Sequence, residues 1–242
     1  MHNEVHQQMG GGVHGMAYTA AEAPVEERAK FIERTYLHLA GAMAAFVGLE
    51  AIFLNTPFIV ELGLSMLNNW WLVLIMFMGI GWIAERWAQS DASPTMQYVG
   101  LGLYVVLEAF IFVPLLFIAQ AFAAQTGDAI IVPAGISTLA IFAALTGFVL
   151  FTKRDFSWMR GVLAIASLGA LGLIFGSMIF GFGLGIIFTV AMVVLAACYI
   201  LYYTSNVLHH YRTDQHVAAA LALFSAVALL FWYIIQLFMA RD

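Results

Sequence analysis

Apolar residues run through this chain in long blocks, and polar residues collect in the short gaps between them. A helix needs about 20 apolar residues to cross the hydrocarbon core of a bilayer. Seven blocks reach that length, over residues 36–56, 68–88, 98–122, 129–152, 158–179, 182–204 and 215–238. Most gaps carry turn or polar signals: Asn55-Thr56-Pro57, Gln89 to Pro94, Gln125 to Asp128, Lys153-Arg154-Asp155, and His209 to Asp214. The fifth and sixth blocks are harder to divide, because Gly161 to Tyr203 is 43 residues without a charge. That is twice a bilayer thickness, so the chain must turn back once. Gly181-Phe182-Gly183 is the place where glycine tolerates the turn. The pattern predicts an all-α integral membrane protein of seven transmembrane helices.

Composition agrees. The 242 residues are 63% hydrophobic and 10% charged, with a mean hydropathy of +0.93. A soluble domain carries about 45–50% apolar and about 25% charged residues, so too little polar surface is left here to face water. Residues 1–25 are polar and Gly-rich and read as a mobile cytoplasmic tail with no cleavable signal. Residues 26–242 form the seven-helix transmembrane domain. Pro24, Glu26 and Glu27 suit a helix start. The run Val25 to Tyr36 is expected along the membrane interface, with Glu26, Glu27, Arg28, Lys30, Glu33 and Arg34 as a solvated, self-paired face.

Positive charge sets the expected direction of insertion. A cytoplasmic N-terminus places Arg28, Lys30, Arg34, Arg86, Lys153, Arg154, Arg160 and Arg212 inside and leaves only Arg241 outside. The C-terminus then lies outside. Trp70, Trp71 and Trp232 fall at the outer aromatic belt, and Trp87 and Trp158 at the inner one.

The remaining chemistry is sparse. Cys198 stands alone, so no disulfide framework or Cys-rich metal site is expected. A net charge of −5 gives no footprint for nucleic acid. Of the histidines, His2, His6 and His14 lie in the tail, while His209 and His210 point about 100° apart on a helix, so no metal is expected. Ser137, Ser167 and Ser177 lack a Gly-x-Ser-x-Gly setting, and no enzyme or cofactor is expected. Gly169, Gly172 and Gly176 suit close packing of the fifth span against a neighbouring helix. Pro114 frees the carbonyl of Phe110, which serves either packing or a transport site.

Two acids stand out. Glu50 and Glu108 lie about 21 Å and about 15 Å from the inner boundary at 1.5 Å per residue. A carboxyl in hydrocarbon costs at least ~2.5–3.5 kcal/mol, so it faces an interior, a partner or water. Each is either a protonated group bonded to a neighbouring helix or a proton- or cation-accepting site. Arg86, at the end of the second span, can snorkel to lipid phosphates or form an ion pair or latch with an acid on another helix.

The stretch Tyr199-Ile200-Leu201-Tyr202-Tyr203-Thr204-Ser205-Asn206-Val207-Leu208, followed by His209 to Asp214 and the apolar Ala218 to Phe238, resembles the closing helix pair of the Bax inhibitor-1-like family. The opening Phe31-Ile32-Glu33-Arg34-Thr35-Tyr36-Leu37-His38-Leu39 is similar to that family's lead into its first helix. The resemblance covers roughly residues 26–240, but only these two stretches are specific. It implies a bacterial inner-membrane protein whose last helix is surrounded by the other six. It also implies a proton-sensitive cation leak, usually discussed for calcium, gated by two aspartates that share a proton. Neither aspartate is present. Tyr203 matches the first, and Ser225 or Ala226 the second. Glu108 and Glu50 are the acids left to serve such a pathway, with Tyr203 at the former gate. The competing reading is a non-transporting subunit or modulator of a larger membrane complex, such as a quality-control protease. The expected partners are membrane lipids, protons or calcium, and that complex.

Overall fold

A computed structural model describes residues 18–88 and 93–240. Residues 1–17, which hold most of the expected tail, lie outside the described part, as does Arg241. The described chain forms eight α-helices: α1 (Val25–Leu54), α2 (Pro57–Ser65), α3 (Trp70–Ala88), α4 (Pro94–Thr126), α5 (Ile131–Thr152), α6 (Met159–Phe180), α7 (Gly185–His209) and α8 (His216–Met239). A short 3-10 turn, Met66–Asn69, joins α2 to α3. Among the described residues, six helices are long and apolar enough to cross a membrane: α1, α4, α5, α6, α7 and α8.

Against the seven spanning helices expected, the described residues form eight α-helices, six of which meet the length and apolarity of a span. The addition is α2, whose nine residues are too few to cross a bilayer and lie in the first expected gap. Pro57 starts it at the position where a missing N–H costs nothing. α1 runs unbroken for 30 residues, so Val25 to Tyr36 is continuous with the span helix. Glu26, Glu27, Lys30, Glu33 and Arg34 on it are exposed. Residues 18–24, assigned to the tail, are docked. Ala20 N–H donates to the Tyr211 carbonyl at 2.8 Å, Thr213 N–H donates to the Tyr18 carbonyl at 3.1 Å, and Ala20 is fully buried.

The turn between α6 and α7 falls where glycine permits it, with Gly181 at φ 72° ending α6. Pro114 sits inside the continuous α4, and the short α2 packs there: a Cβ on Gly63 would meet the Val113 side chain at 3.0 Å and Pro114 at 3.4 Å. Gly100 makes a tighter approach, since a Cβ there would come within 2.6 Å of the Ala84 carbonyl oxygen and the Ala88 nitrogen of α3.

Helix α8 is the centre of the bundle. It packs against α1, α3, α4, α5 and α7, while α6 leans on α7. The ring around the last helix is thus made chiefly of five helices rather than six. Rings lock α1, α4 and α8 together: Phe46 meets Phe112 at 5.1 Å and Phe224 at 5.9 Å, and Phe112 stacks on Phe231 at 5.7 Å. Trp232 joins this set edge-on to Phe112 at 5.0 Å, so it packs within the bundle. The glycine step of α6 also departs from expectation. A Cβ on Gly169 or Gly172 would meet nothing within 4 Å, and one on Gly176 would meet only the Phe182 ring.

Candidate functional site

The bundle is closed on its α1–α4–α8 side and open on the other. Between α6 and α7 on one wall and α4 and α8 on the other lies a cavity of about 960 Å³. Along α7 its lining runs from Gly185 to Tyr203, about 27 Å at 1.5 Å per residue, close to the thickness of a hydrocarbon core. Leu184, Gly185, Met239 and Ala240 line one end; Tyr104, Tyr203 and Ser225 line the other.

Glu108 lies on this cavity. Tyr104, Glu108 and Phe112 follow one another at four-residue spacing on α4, which puts all three on one helix face, and all three line the wall. Glu108 is 7% exposed, and its Oε2 has no hydrogen-bond partner among the described residues. Tyr104 meets Phe224 at 6.2 Å and Phe112 meets Phe231 at 5.7 Å, which fixes the register of α4 against α8. Glu108 therefore lies within about one turn, ~5 Å, of the level of Ser225 and Ala226. Both of those residues line the same cavity, as does Tyr203. Tyr203, Ser225, Ala226 and the buried glutamate thus share one space.

The other predicted site residues go elsewhere. Glu50 is 6% exposed, and neither carboxyl oxygen has a hydrogen-bond partner among the described residues. It lines neither this cavity nor the smaller one of about 440 Å³ beside His38 and Tyr98. Phe46 and Phe112 touch, so Glu50 is one turn beyond that contact and Glu108 one turn before it, about 12 Å apart along the bundle. Arg86 is exposed at the end of α3, its guanidinium 5.5 Å from the Trp82 ring centroid, and does not reach Glu108's cavity. Among the described residues no group of three His, Cys, Asp or Glu side chains could hold a metal ion.

Tyr203 ends the cavity within a stack of phenols. Its ring lies 5.5 Å from Tyr199 and 5.3 Å from Tyr202, and Tyr199 shares a 2.8 Å hydrogen bond with Ser167 across to α6. Just past it, Ser205 is fully buried and ties the α5–α6 loop to α7. Phe156 N–H donates to Ser205 Oγ at 2.8 Å, and that hydroxyl donates to Asp155 Oδ1 at 3.3 Å. His210 Nε2 lies 3.2 Å from Asp155 Oδ2. Desolvation pushes the Asp155 carboxyl upward, but the Ser157 N–H, the His210 imidazole and the Ser157 hydroxyl together outweigh it and bring it down to about 2. Beside it, the Arg212 guanidinium grips Asp214 with two bonds of 3.1 and 2.7 Å and holds that carboxyl below its usual range.

Asp155, Ser205 and the Ser167–Tyr199 bond carry no sequence signal, because their partners lie 32 to 55 residues away. The Tyr104–Glu108–Phe112 stripe was readable from its spacing.

Comparisons with known proteins place these features in a family. Residues 28–242 match the family described as inhibitor of apoptosis-promoting Bax1. An uncharacterised protein of Pseudomonas aeruginosa is 24% identical over 70% of this chain and 74% of its own length. An uncharacterised protein of Chlamydia muridarum is 24% identical over 74% of this chain and 79% of its own. The helical membrane bundle and the match over nearly the whole chain together make this protein a member of the Bax inhibitor-1-like family.

Proposed function

We propose that this protein conducts cations or protons across a bacterial inner membrane and that Glu108 is the acid that serves the pathway. The observation that carries this reading is the shared cavity: a buried carboxyl, whose Oε2 has no hydrogen-bond partner among the described residues, lines it together with Tyr203, Ser225 and Ala226, where the family's acids are replaced. A carboxyl kept in an apolar bundle with an oxygen that no described residue bonds suits a group that takes up a passing cation or proton. Tyr203 closes the cavity toward the Asp155–His210 end. With α3 crossing as a 19-residue helix, the spans number seven.

In this reading the N-terminus is cytoplasmic and the C-terminus outside. The fold supports that direction, because residues 18–24 and the loops bearing Lys153, Arg154 and Arg212 meet at one end. Impermeant thiol labelling of intact cells is expected to reach Asp128→Cys and not Arg154→Cys; the reverse pattern overturns the orientation.

Conduction is tested in proteoliposomes by following calcium and proton flux from pH 5 to 8. In a Cys198→Ser background, Ser225→Cys is expected to carry flux until a bulky thiol reagent fills the cavity and stops it. Flux that continues after full modification contradicts a pathway through this space. The alternative, a non-transporting subunit of a larger complex, draws on the open face of α6 around Gly169 and Gly172. Recovery of a stoichiometric partner in mild detergent, with no flux from the purified chain, favours it.

A further inference from the structure

We infer that the Glu108 cavity is a binding site for lipophilic organic cations, molecules with one positive charge on an apolar or aromatic body. This deepens the proposed conduction, since it rests on the same reading of Glu108 as the group that accepts a cation, and names the class of cation that the space fits.

Three observations lead there. The first is size: about 960 Å³ is at the upper end of the range of small-molecule pockets and far beyond what a bare ion fills. The second is charge. A divalent ion calls for about six to eight oxygen ligands, usually with several carboxylates. Among the described residues the cavity lining holds one carboxyl, Glu108, and no other charged side chain. Its buried Oε2 has no partner among the described residues, so a single positive group satisfies it. The third is the wall. Tyr104, Phe112, Tyr199, Tyr203 and Trp232 line the space around that carboxyl, and the rest of the lining is largely aliphatic. Aromatic faces attract cations through their quadrupole, most strongly where water is excluded. One carboxyl, several rings and an apolar surround form the recognition chemistry of a hydrophobic ammonium or phosphonium.

The smaller cavity by His38 lacks this combination: its lining includes no carboxyl. The open glycine face of α6 presents no polar group that would select a ligand.

Tetraphenylphosphonium is the probe, and tetraphenylborate, of the same shape and opposite charge, is its control. Both are titrated by equilibrium dialysis against the detergent-solubilised protein. Saturable binding of the phosphonium alone is expected. Glu108→Gln should weaken it about tenfold or more, because the counter-charge is removed at constant shape. Tyr203→Leu should weaken it by about three- to tenfold and Tyr203→Phe hardly at all, since the ring supplies the attraction. Glu50→Gln should leave it unchanged. Ser225→Phe, which fills the cavity from α8, should abolish it and serves as a second variant if Glu108→Gln does not fold. Equal binding of both ions, or undiminished binding by folded Glu108→Gln or Ser225→Phe, overturns the site. Intact inorganic-ion flux without phosphonium binding overturns this inference alone. Phosphonium binding without any ion flux overturns conduction and leaves the binding site standing.

Discussion

Helices α6 and α8 are equally apolar, yet 72% of the α8 span is buried inside the protein and only 11% of the α6 span. In water such a difference would be written in the sequence, because an exposed face must be polar. In a bilayer, lipid tails are as apolar as leucine, and hydrophobicity no longer separates inside from outside. What separates the two helices is size and shape. α8 presents Ala218, Ala219, Ala220, Ala226 and Ala228, all buried, with Phe224 among them, and neighbours close in on it. α6 directs Val162, Ile165, Leu168 and Ile179 outward and leaves a cavity behind it. The molecule thus has a sealed side built on aromatic packing and an open side that holds the candidate site.

That contrast is broken most easily at its aromatic centre. Phe112 is 1% exposed and touches Phe46, Phe231 and Trp232. Phe112→Ala is expected to destabilise by an amount approaching the ~3–5 kcal/mol of a soluble core, since the loss of packing persists in a bilayer. Leu171→Ala, on the cavity wall of α6, should cost less than about 1 kcal/mol because its side chain already faces space. Thermal unfolding in detergent compares them; equal losses would mean that the two sides are packed alike.

Glycines give a second, smaller contrast. Gly100→Ala forces a methyl against the α3 backbone and is expected to lower stability by about 1–3 kcal/mol. Gly172→Ala meets open space and is expected to be neutral or stabilising by up to ~1 kcal/mol through helix propensity. A loss at Gly172 matching that at Gly100 would reveal a partner on the open face.

These pairs also show how far the sequence could be read. Span lengths, the turn at Gly181 and the two buried acids follow from local pattern, because charge and glycine have the same consequences wherever the chain goes. The role of each glycine does not. Gly172 and Gly176 have the spacing of a packing step, yet Gly172 faces open space and Gly176 meets only the Phe182 ring, whereas Gly100, in no motif, makes the closest approach. Trp232 has belt chemistry but sits against Phe112. Glu50 and Glu108 look alike in sequence, and only the register set by Phe46 and Phe112 sends one into the core and the other to the cavity. Such distinctions belong to the partner helix, and a single helix cannot display them.

The Asp155 junction should respond least. Its carboxyl lies at about 2 in the folded protein against an ordinary 3.8, so its contribution is complete above about pH 5 and is lost as pH falls through about 2. The pair with His210 is nearly half exposed, so Asp155→Asn is expected to cost less than about 1 kcal/mol at pH 7 after screening and only a small fraction of that at pH 2, where about half of the folded-state carboxyl is already protonated. Unfolding followed across that range checks the sign; a deficit that is undiminished at pH 2 would mean that the neutral side chain's hydrogen bonds are what matter.

The division into a sealed and an open side is tested most directly by cation flux through Glu108→Gln and Glu50→Gln, reconstituted side by side and measured from pH 5 to 8. Both substitutions keep shape and remove charge, and both positions are buried, with no hydrogen-bond partner among the described residues for Glu50's oxygens or for Glu108 Oε2. Loss of flux in Glu108→Gln, with Glu50→Gln close to wild type, is the predicted result. Loss in Glu50→Gln, with Glu108→Gln unaffected, would place the pathway through the α1–α4–α8 core and contradict the account.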